Sequence, residues 1–265
     1  MKITSLVDNV TKSELKSKHG LSFYIETNTH KILFDLGSDD TLFENAAKRK
    51  IDISKVDIVI ISHGHNDHGG ALRKFLDVNN TAKIYVQSNA FESHYSKILF
   101  LKIKVGIDKS LKAHKQIKFL NGDFKIDEEL SLFTVNETAK LYSSVNDALY
   151  DKNGRDAFTH EQNLVISENK VALIMGCGHT GIVNIMDKAN KYQTTLCVGG
   201  FHLYNPITRK SVKNGLLDDI SVEIQKYEHT TQFYTCHCTG DKAYQYISKQ
   251  VNNLKYFACG DFIEV

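Results

Sequence analysis

Short apolar runs alternate with amphipathic stretches along most of the 265-residue chain. Nine of these runs have the β-branched, apolar composition of strands, and five of the stretches between them carry the apolar spacing of helices. The predicted strands are 21–27, 31–37, 56–62, 82–88, 163–167, 170–176, 194–200, 232–238 and 255–261. The predicted helices are 42–49, 71–77, 182–192, 213–226 and 242–250. Hairpins come first and strand-helix-strand units later, which indicates an α/β fold with helices packed outside its sheets.

Composition narrows the class of protein. No Pro-rich or Ser-rich linker interrupts the sequence, so we predict a single domain over 1–265. The 33 basic residues are scattered among 31 acidic ones, which does not favour a nucleic-acid partner. Five cysteines are too few and odd in number for a disulfide framework. Neither a signal peptide nor an apolar run of about 18 residues is present, so we expect a cytoplasmic protein without a membrane partner. The oligomeric state is not indicated.

Histidines fall at the ends of predicted strands. The strand 56–62 is followed at once by HGHNDHGG, and three later strands end close to His179, His202 and His237. In layered α/β folds the carboxyl ends of parallel strands meet at one edge, where loops build active sites. We therefore expect these four groups of residues to converge on one site.

The residue types in the first cluster are those of metal ligands. Neutral imidazoles donate a lone pair to zinc or iron, and a carboxylate adds an oxygen ligand and charge. His63 and His65 lie two positions apart and can bind one ion, while Asp67 and His68 provide half of a second site. The glycines among and after them suit a tight turn that presents four side chains at once.

HGHNDHGG after a buried strand resembles the H-x-H-x-D-H signature of the metallo-β-lactamase superfamily, and FDLG (34–37) resembles the strand end that precedes it. GCGHTGIVNI (176–185), VGGFHL (198–203) and CHCTG (236–240) resemble the branch that contains dihydropterin-methyl-ribofuranosylaminobenzene-phosphate synthase. The resemblance implies an α/β fold in the form of a four-layer αββα sandwich, with two mixed β-sheets and the helices outside.

The resemblance also implies two metal sites and a bridging water as the nucleophile. One ion would bind to His63, His65 and His179, and the other to Asp67, His68 and His237. Zinc is the expected ion, with iron and manganese as alternatives.

Asp67 and His202 are expected to act in catalysis. Asp35 is expected either to orient a ligand or to cap the turn before Leu42.

Some positions leave alternatives open. Cys177 stands where other members carry a bridging aspartate, so either Cys177 binds as a thiolate or His179 replaces it and Cys177 packs in the core. His160 is a further ligand candidate. His202 is an extra ligand, a proton donor, a binder of substrate phosphate, or a residue packed under the loop of Tyr204.

The expected function is a dinuclear metal-dependent hydrolase or transferase. Its substrate would be a phosphorylated or cyclic small molecule, with a pterin-precursor phosphate as the most specific form that the resemblance implies. The alternative is a metal-binding sensor or redox protein on the same scaffold without hydrolytic turnover. Residues 91–125 are expected to form an insertion that covers the active site.

Overall fold

The structure is a computed structural model that describes residues 1–98, 100–138 and 140–265. The strands are β1 (Lys2–Val7), β2 (Ser22–Glu26), β3 (Lys31–Phe34), β4 (Ile58–Ile60), β5 (Lys83–Gln87), β6 (Tyr95–Ile98), β7 (Leu101–Lys104), β8 (Ile117–Leu120), β9 (Phe124–Lys125), β10 (Leu130–Phe133), β11 (Leu149–Tyr150), β12 (Asn163–Ser167), β13 (Val171–Ile174), β14 (Leu196–Gly199), β15 (Tyr204–Asn205), β16 (Lys210–Ser211), β17 (Gln232–Thr235), β18 (Leu254–Tyr256) and β19 (Phe262–Glu264). The helices are α1 (Thr41–Lys48), α2 (Asn66–Gly69), α3 (Leu72–Val78), α4 (Ile182–Ala189), α5 (Asn214–Gln225) and α6 (Asp241–Ile247).

Two seven-stranded mixed sheets form the body of the protein. The first has the order β19-β1-β2-β3-β4-β5-β8 and the second the order β18-β17-β14-β13-β12-β10-β9. In the first sheet β3, β4, β5 and β8 run parallel, and in the second β13, β14, β17 and β18 do so. Small additional sheets join β11, β6 and β7, and β15 with β16.

The central strands of the two large sheets are buried on both faces. Alternate residues along each of these strands therefore enter different layers of the core. In β4, Ile58 and Ile60 pack between the sheets, whereas Val59 packs against the layer that contains α1 and α3. In β13, Ile174 faces the space between the sheets and Leu173 faces the layer of α4, α5 and α6. Three apolar layers therefore separate helix, sheet, sheet and helix, which confirms the predicted four-layer αββα sandwich.

The nine strands and five helices predicted from the sequence are all present, with shorter bounds at several ends. The last predicted strand, 255–261, is reduced to Leu254–Tyr256, and the chain turns after it. Strand β1 was not predicted, because Thr4 and Ser5 interrupt its apolar run although both are buried. None of the helices in the described ranges is long and apolar enough to cross a membrane.

The segment 91–125, expected to cover the site, divides into two parts. Strands β6 and β7 pair as an antiparallel hairpin, and Ser96 of β6 and Val105, which follows β7, line the cavity at the candidate site. Residues Ile117–Leu120 instead form the edge strand β8 of the first sheet. Residue 99 lies outside the described residues. The part that borders the cavity is therefore shorter than the predicted insertion.

Candidate metal centre

Three of the predicted ligands meet beside the carboxyl end of β4. His63 Nε2 lies 3.0 Å from His65 Nδ1 and 3.3 Å from His179 Nε2. The three side chains are buried and belong to one group able to hold an ion. His63 and His65 come from the segment after β4 and His179 from the segment after β13, so the two sheets together build this half of the site.

The other three predicted ligands form a second set next to the first. Asp67 Oδ2 lies 3.3 Å from His237 Nε2 and 3.8 Å from His68 Nε2. The two imidazole Nε2 atoms are 3.3 Å apart. The structure thus brings all six predicted ligands together in two neighbouring sets of three.

Hydrogen bonds fix the orientation of the imidazoles nearest the first sheet. The Asp35 carboxylate accepts a bond from His68 Nδ1 at 2.6 Å and bonds from the Ser62 amide and hydroxyl, each at 2.7 Å. Ser62 Oγ in turn lies 2.9 Å from His63 Nδ1. With Nδ1 acting as the donor, both rings present a bare Nε2 to the centre of the site. Of the two roles expected for Asp35, the structure therefore shows the contact with a candidate ligand.

Two asparagines orient the imidazoles of His179 and His237 by hydrogen bonds. His179 Nδ1 lies 3.0 Å from Asn146 Oδ1, and the Asn146 amide donates to the His179 carbonyl at 2.9 Å. His237 Nδ1 lies 3.0 Å from Asn9 Oδ1, whose amide nitrogen is 3.1 Å from the His237 carbonyl oxygen. Each asparagine is hydrogen-bonded to both the side chain and the backbone of its histidine. The Nε2 atom of that histidine therefore faces the centre of the site. Sequence reasoning missed both asparagines.

The donor set fits divalent metal ions. Burial lowers the pKa of His63 and His179 well below its usual value, so these rings are neutral and their lone pairs face one another. Burial opposes the charge of Asp67, but His68, His19 and His237 outweigh it and hold the pKa of Asp67 well below its usual range. Converging neutral imidazoles beside an ionised carboxylate match the ligand chemistry of zinc, iron or manganese.

Cys177 lies between the two sets of ligands. Its Sγ is 3.2 Å from His68 Nε2, and it forms a possible metal-holding group with His63 and His68. Burial raises the pKa of the Cys177 thiol well above its usual value. The sulfur therefore lies next to candidate ligands of both sets, while the raised pKa disfavours the thiolate form.

His202 points into the same site from the segment after β14. Its ring lies 4.0 Å from the ring of His179, measured between centroids. The side chain is buried, yet neither ring nitrogen has a hydrogen-bond partner in the described part of the chain. Burial lowers the pKa of His202 to about 3. His202 is thus a neutral imidazole with both nitrogens free for a ligand.

Unusual backbone conformations accompany these side chains. Asp35, His202 and His237 have φ angles of 61°, 48° and 49°, in the left-handed region that disfavours residues other than glycine. Phe158, with φ of 53°, stacks its ring on His179 at 4.3 Å. Such conformations each cost about 1–3 kcal/mol and concentrate at functional sites, where surrounding contacts maintain them.

The glycines around the signature allow close packing rather than a special turn. A Cβ on Gly64 would lie 2.3 Å from the carbonyl oxygen of Ala90, and one on Gly176 would lie 2.2 Å from Ser62 Oγ. Gly64 has no left-handed φ angle, and the chain continues from His65 directly into α2. The chain bends at His63 and Gly64, and a single helical turn presents the residues after His65.

A second histidine cluster adjoins the first set of ligands. Asp156 Oδ2 lies 2.9 Å from His94 Nδ1 and 3.1 Å from His160 Nε2, and all three side chains are buried. Burial alone would raise the pKa of Asp156, but the bonds from His160 and His94 outweigh it and lower that pKa below its usual range. Neither His94 nor Asp156 was singled out in the sequence.

The hydrogen bonds of His160 decide its role. Its Nδ1 accepts the backbone N–H of Gly64 at 3.0 Å, so the proton of this neutral ring sits on Nε2 and is donated to Asp156. Binding an ion through Nε2 would remove the only proton of the ring. Although His65, His94, Asp156 and His160 lie close enough to hold an ion, this pattern favours His160 as a support for the segment between His63 and His65.

Two further polar residues near the site, Glu161 and His19, could not be identified from a motif in the sequence. The Glu161 carboxylate accepts the amides of His179 and Thr180 at 2.7 and 2.8 Å and so holds the loop after β13. His19 Nε2 lies 3.3 Å from Asp67 Oδ2 on the solvent side. Each is an isolated polar residue in an irregular segment, so no periodicity or motif marks it.

A cavity of about 350 Å³ opens above the two sets of ligands. His65, Asp67, Cys177, His179, His202 and His237 line it. The site is therefore accessible to a small molecule, and the candidate catalytic residues Asp67 and His202 face the space that this molecule would occupy.

Comparison with known proteins shows the family to which this chain belongs. The model of the metallo-β-lactamase superfamily matches residues 18–159, slightly more than half of the chain. The protein belongs to the metallo-β-lactamase superfamily. The solved structure of Tm1679, a metal-dependent hydrolase of the β-lactamase superfamily, superposes with a TM-score of 0.83 at 26% identity and covers 100% of this chain and 99% of its own.

Two relatives from Methanocaldococcus jannaschii extend over most of the chain. An uncharacterized protein is 28% identical, covering 99% of this chain and 100% of the relative. The 7,8-dihydropterin-6-methyl-4-(β-D-ribofuranosyl)-aminobenzene-5'-phosphate synthase is 26% identical, covering 92% of this chain and 89% of the relative. The second relative agrees with the branch that the later motifs resemble.

Substituting Asp156→Asn should weaken metal binding. Both histidines contact Asp156 Oδ2 while the backbone N–H of Phe158 donates to Oδ1. An amide has only one acceptor oxygen and no charge, so it cannot keep all three bonds, and His160 is held less firmly against Gly64 and the adjacent ligands. We expect the dissociation constant for zinc to rise about 10-fold to 100-fold, measured by competition with a chelating dye. His30→Gln is the control, because His30 bridges Asp57 and Asp127 away from the site. Wild-type affinity in the Asp156→Asn variant would contradict the supporting role.

Proposed function

We propose that this protein is a dinuclear metal-dependent hydrolase of a phosphorylated or cyclic small molecule. One observation carries the proposal: two adjacent sets of three ligands face one accessible cavity, and four of the five imidazoles are oriented by a hydrogen bond at Nδ1. His63, His65 and His179 would hold one ion, and Asp67, His68 and His237 the other. Zinc is the ion we propose, with iron or manganese as alternatives.

Two divalent ions bound there would lower the pKa of a water molecule and stabilise negative charge on the group under attack. Hydrolysis then forms a bond from the water oxygen to phosphorus, breaks the bond to the leaving oxygen, and returns a proton to that oxygen. Asp67 is ionised and borders the cavity, so it can accept a hydrogen bond from the attacking water and orient it.

His202 serves the reaction best as a neutral hydrogen-bond donor. Because burial lowers its pKa to about 3, it is not protonated near neutral pH and is poorly suited to deliver a proton as an imidazolium. A neutral ring still carries one N–H, and its nitrogens are free beside His179. It can donate that hydrogen bond to a substrate oxygen that gains charge in the transition state.

The substrate class rests on similarity and on the chemistry of the site. The relative named as a synthase for a 5'-phosphate compound is similar over most of the chain, which supports a phosphate-containing or pterin-like substrate. Paired metal ions bind phosphate oxygens well, which supports the same class. The alternative, a metal-binding sensor or redox protein, would bind ions with the same ligands but would not turn over an ester.

Loss of a ligand should lower the metal content and abolish activity. His65→Ala and His179→Ala each remove one nitrogen from a buried set of three, so we expect at least one of about two ions per chain to be lost, measured by plasma mass spectrometry. Hydrolysis of bis(p-nitrophenyl) phosphate should fall to background in both variants. The control is His229→Ala, which removes an exposed histidine away from the site. Full metal content in either ligand variant would contradict the assignment.

The same assay distinguishes a metal-dependent hydrolase from a metal-binding protein without turnover. Metal-loaded wild-type protein that binds two ions but hydrolyses no phosphomonoester, phosphodiester or cyclic phosphate would favour the binding protein. Turnover that is lost with a chelator and restored by zinc would support the hydrolase.

His202→Leu should reduce turnover without loss of metal. The substitution removes a hydrogen-bond donor from the cavity and leaves the six ligands in place. Removing one such donor typically lowers kcat about 100-fold. We expect this reduction at unchanged metal content, followed by steady-state hydrolysis and mass spectrometry on the same samples. If the variant instead loses an ion, His202 is a ligand and the proposed role is wrong.

A further inference from the structure

The cavity has two chemically different ends. Its floor consists of the candidate ligands, whereas its wall is apolar and contains Val105, Val145, Leu149 and Ile207. The wall comes from three separate segments: the end of the β6-β7 hairpin, the turn that leads into β11, and the loop between β15 and β16. An apolar wall next to a polar floor indicates a ligand with two unlike ends.

The wall also lacks positive charge. Among the described residues that line the cavity there is no lysine or arginine. Two basic side chains near the wall are paired elsewhere, Lys140 with Asp187 and Arg155 with Asp147. Lys102, Lys104 and Arg209 lie on the segments that supply the wall but do not line the cavity. Proteins usually bind a phosphate with such cations, and an unpaired anion on an apolar wall is strongly disfavoured. The lining of the cavity therefore favours an anionic group at the metal end.

We propose that the wall is a subsite for a neutral apolar group of the substrate, such as an aromatic ring. The inference rests on the proposed function, because it assumes that the reacting phosphate lies on the metal ions. It narrows the substrate class to phosphate esters with one anionic group and an apolar remainder. Nucleotides with several phosphates and highly charged sugar phosphates fit this cavity less well, since no lysine or arginine among the described residues lines the wall to meet a second anionic group.

Wall residues that remain partly exposed can be covered by an apolar group of a bound substrate. Leu149 is partly buried, and Ile207 is 46% exposed. A ring that covers them would remove apolar surface from water, and such burial contributes about 25 cal/mol per Å². Tyr204, in β15 just before the loop of Ile207, also lines the cavity and can contact the ring from the side.

Binding of three phosphorus compounds tests the subsite without requiring turnover. Zinc-loaded protein is titrated with phenylphosphonate, methylphosphonate and inorganic phosphate by isothermal titration calorimetry. We expect phenylphosphonate to bind at least about tenfold more tightly than methylphosphonate, because only its ring reaches the wall. Equal affinity of the two phosphonates would overturn the subsite and leave the proposed function intact. If none of the three binds to metal-loaded protein, the proposed function fails as well.

Variants locate the subsite within the cavity. Leu149→Asn and Ile207→Asn should each reduce the advantage of phenylphosphonate by about threefold or more while methylphosphonate binds as before. Ile207 is half exposed, so its variant should fold even if the Leu149 variant does not. Val222→Asn is the control, because Val222 is 56% exposed on α5 and does not line the cavity. An undiminished phenyl advantage in the folded Ile207 and Leu149 variants would overturn the assigned wall.

Discussion

The hydrogen bond that most of the floor histidines make through Nδ1 is the interaction on which the candidate centre depends. An imidazole offers a lone pair at one nitrogen only when the other carries the proton, and Ser62, Asp35, Asn146 and Asn9 determine which nitrogen that is. His65 is the exception: its Nδ1 faces the centre and its Nε2 has no hydrogen-bond partner within the described residues. Burial lowers the pKa of His65 well below its usual value, so this ring is neutral.

Except for the bond between the adjacent residues Ser62 and His63, these supporting bonds join distant parts of the chain, so the fold must be complete before the centre exists. Asn9 and His237 are separated by 228 positions, and Asn146 and His179 by 33. The two sheets bring them together because their buried strands pack face to face and end at the same edge. Packing in the three apolar layers also offsets the backbone strain at Asp35, His202 and His237. The geometry of the site therefore depends on the packing of the core, although the candidate ligands themselves add little apolar surface to that core.

Sequence patterns predicted the parts of this arrangement that are local. β4 is a continuous apolar run and the residues after it form a dense motif, so the strand and the first four candidate ligands could be predicted together. His179 and His237 followed from strand ends and from family resemblance. Asn146, Asn9 and Asp156 could not be predicted, since each is a single polar residue in an irregular segment and its role arises only from a distant partner. The role of His160 likewise required its backbone partner, the amide of Gly64.

The most direct test of the central claim is a crystal structure of zinc-loaded protein with anomalous diffraction recorded on both sides of the zinc absorption edge. Two adjacent anomalous peaks are expected, one bonded to His63, His65 and His179 and the other to Asp67, His68 and His237. Zinc–nitrogen distances should be about 2.0–2.1 Å. A single peak held by His94, Asp156 and His160, or no peak among the six ligands in a well-ordered crystal, would contradict the dinuclear centre.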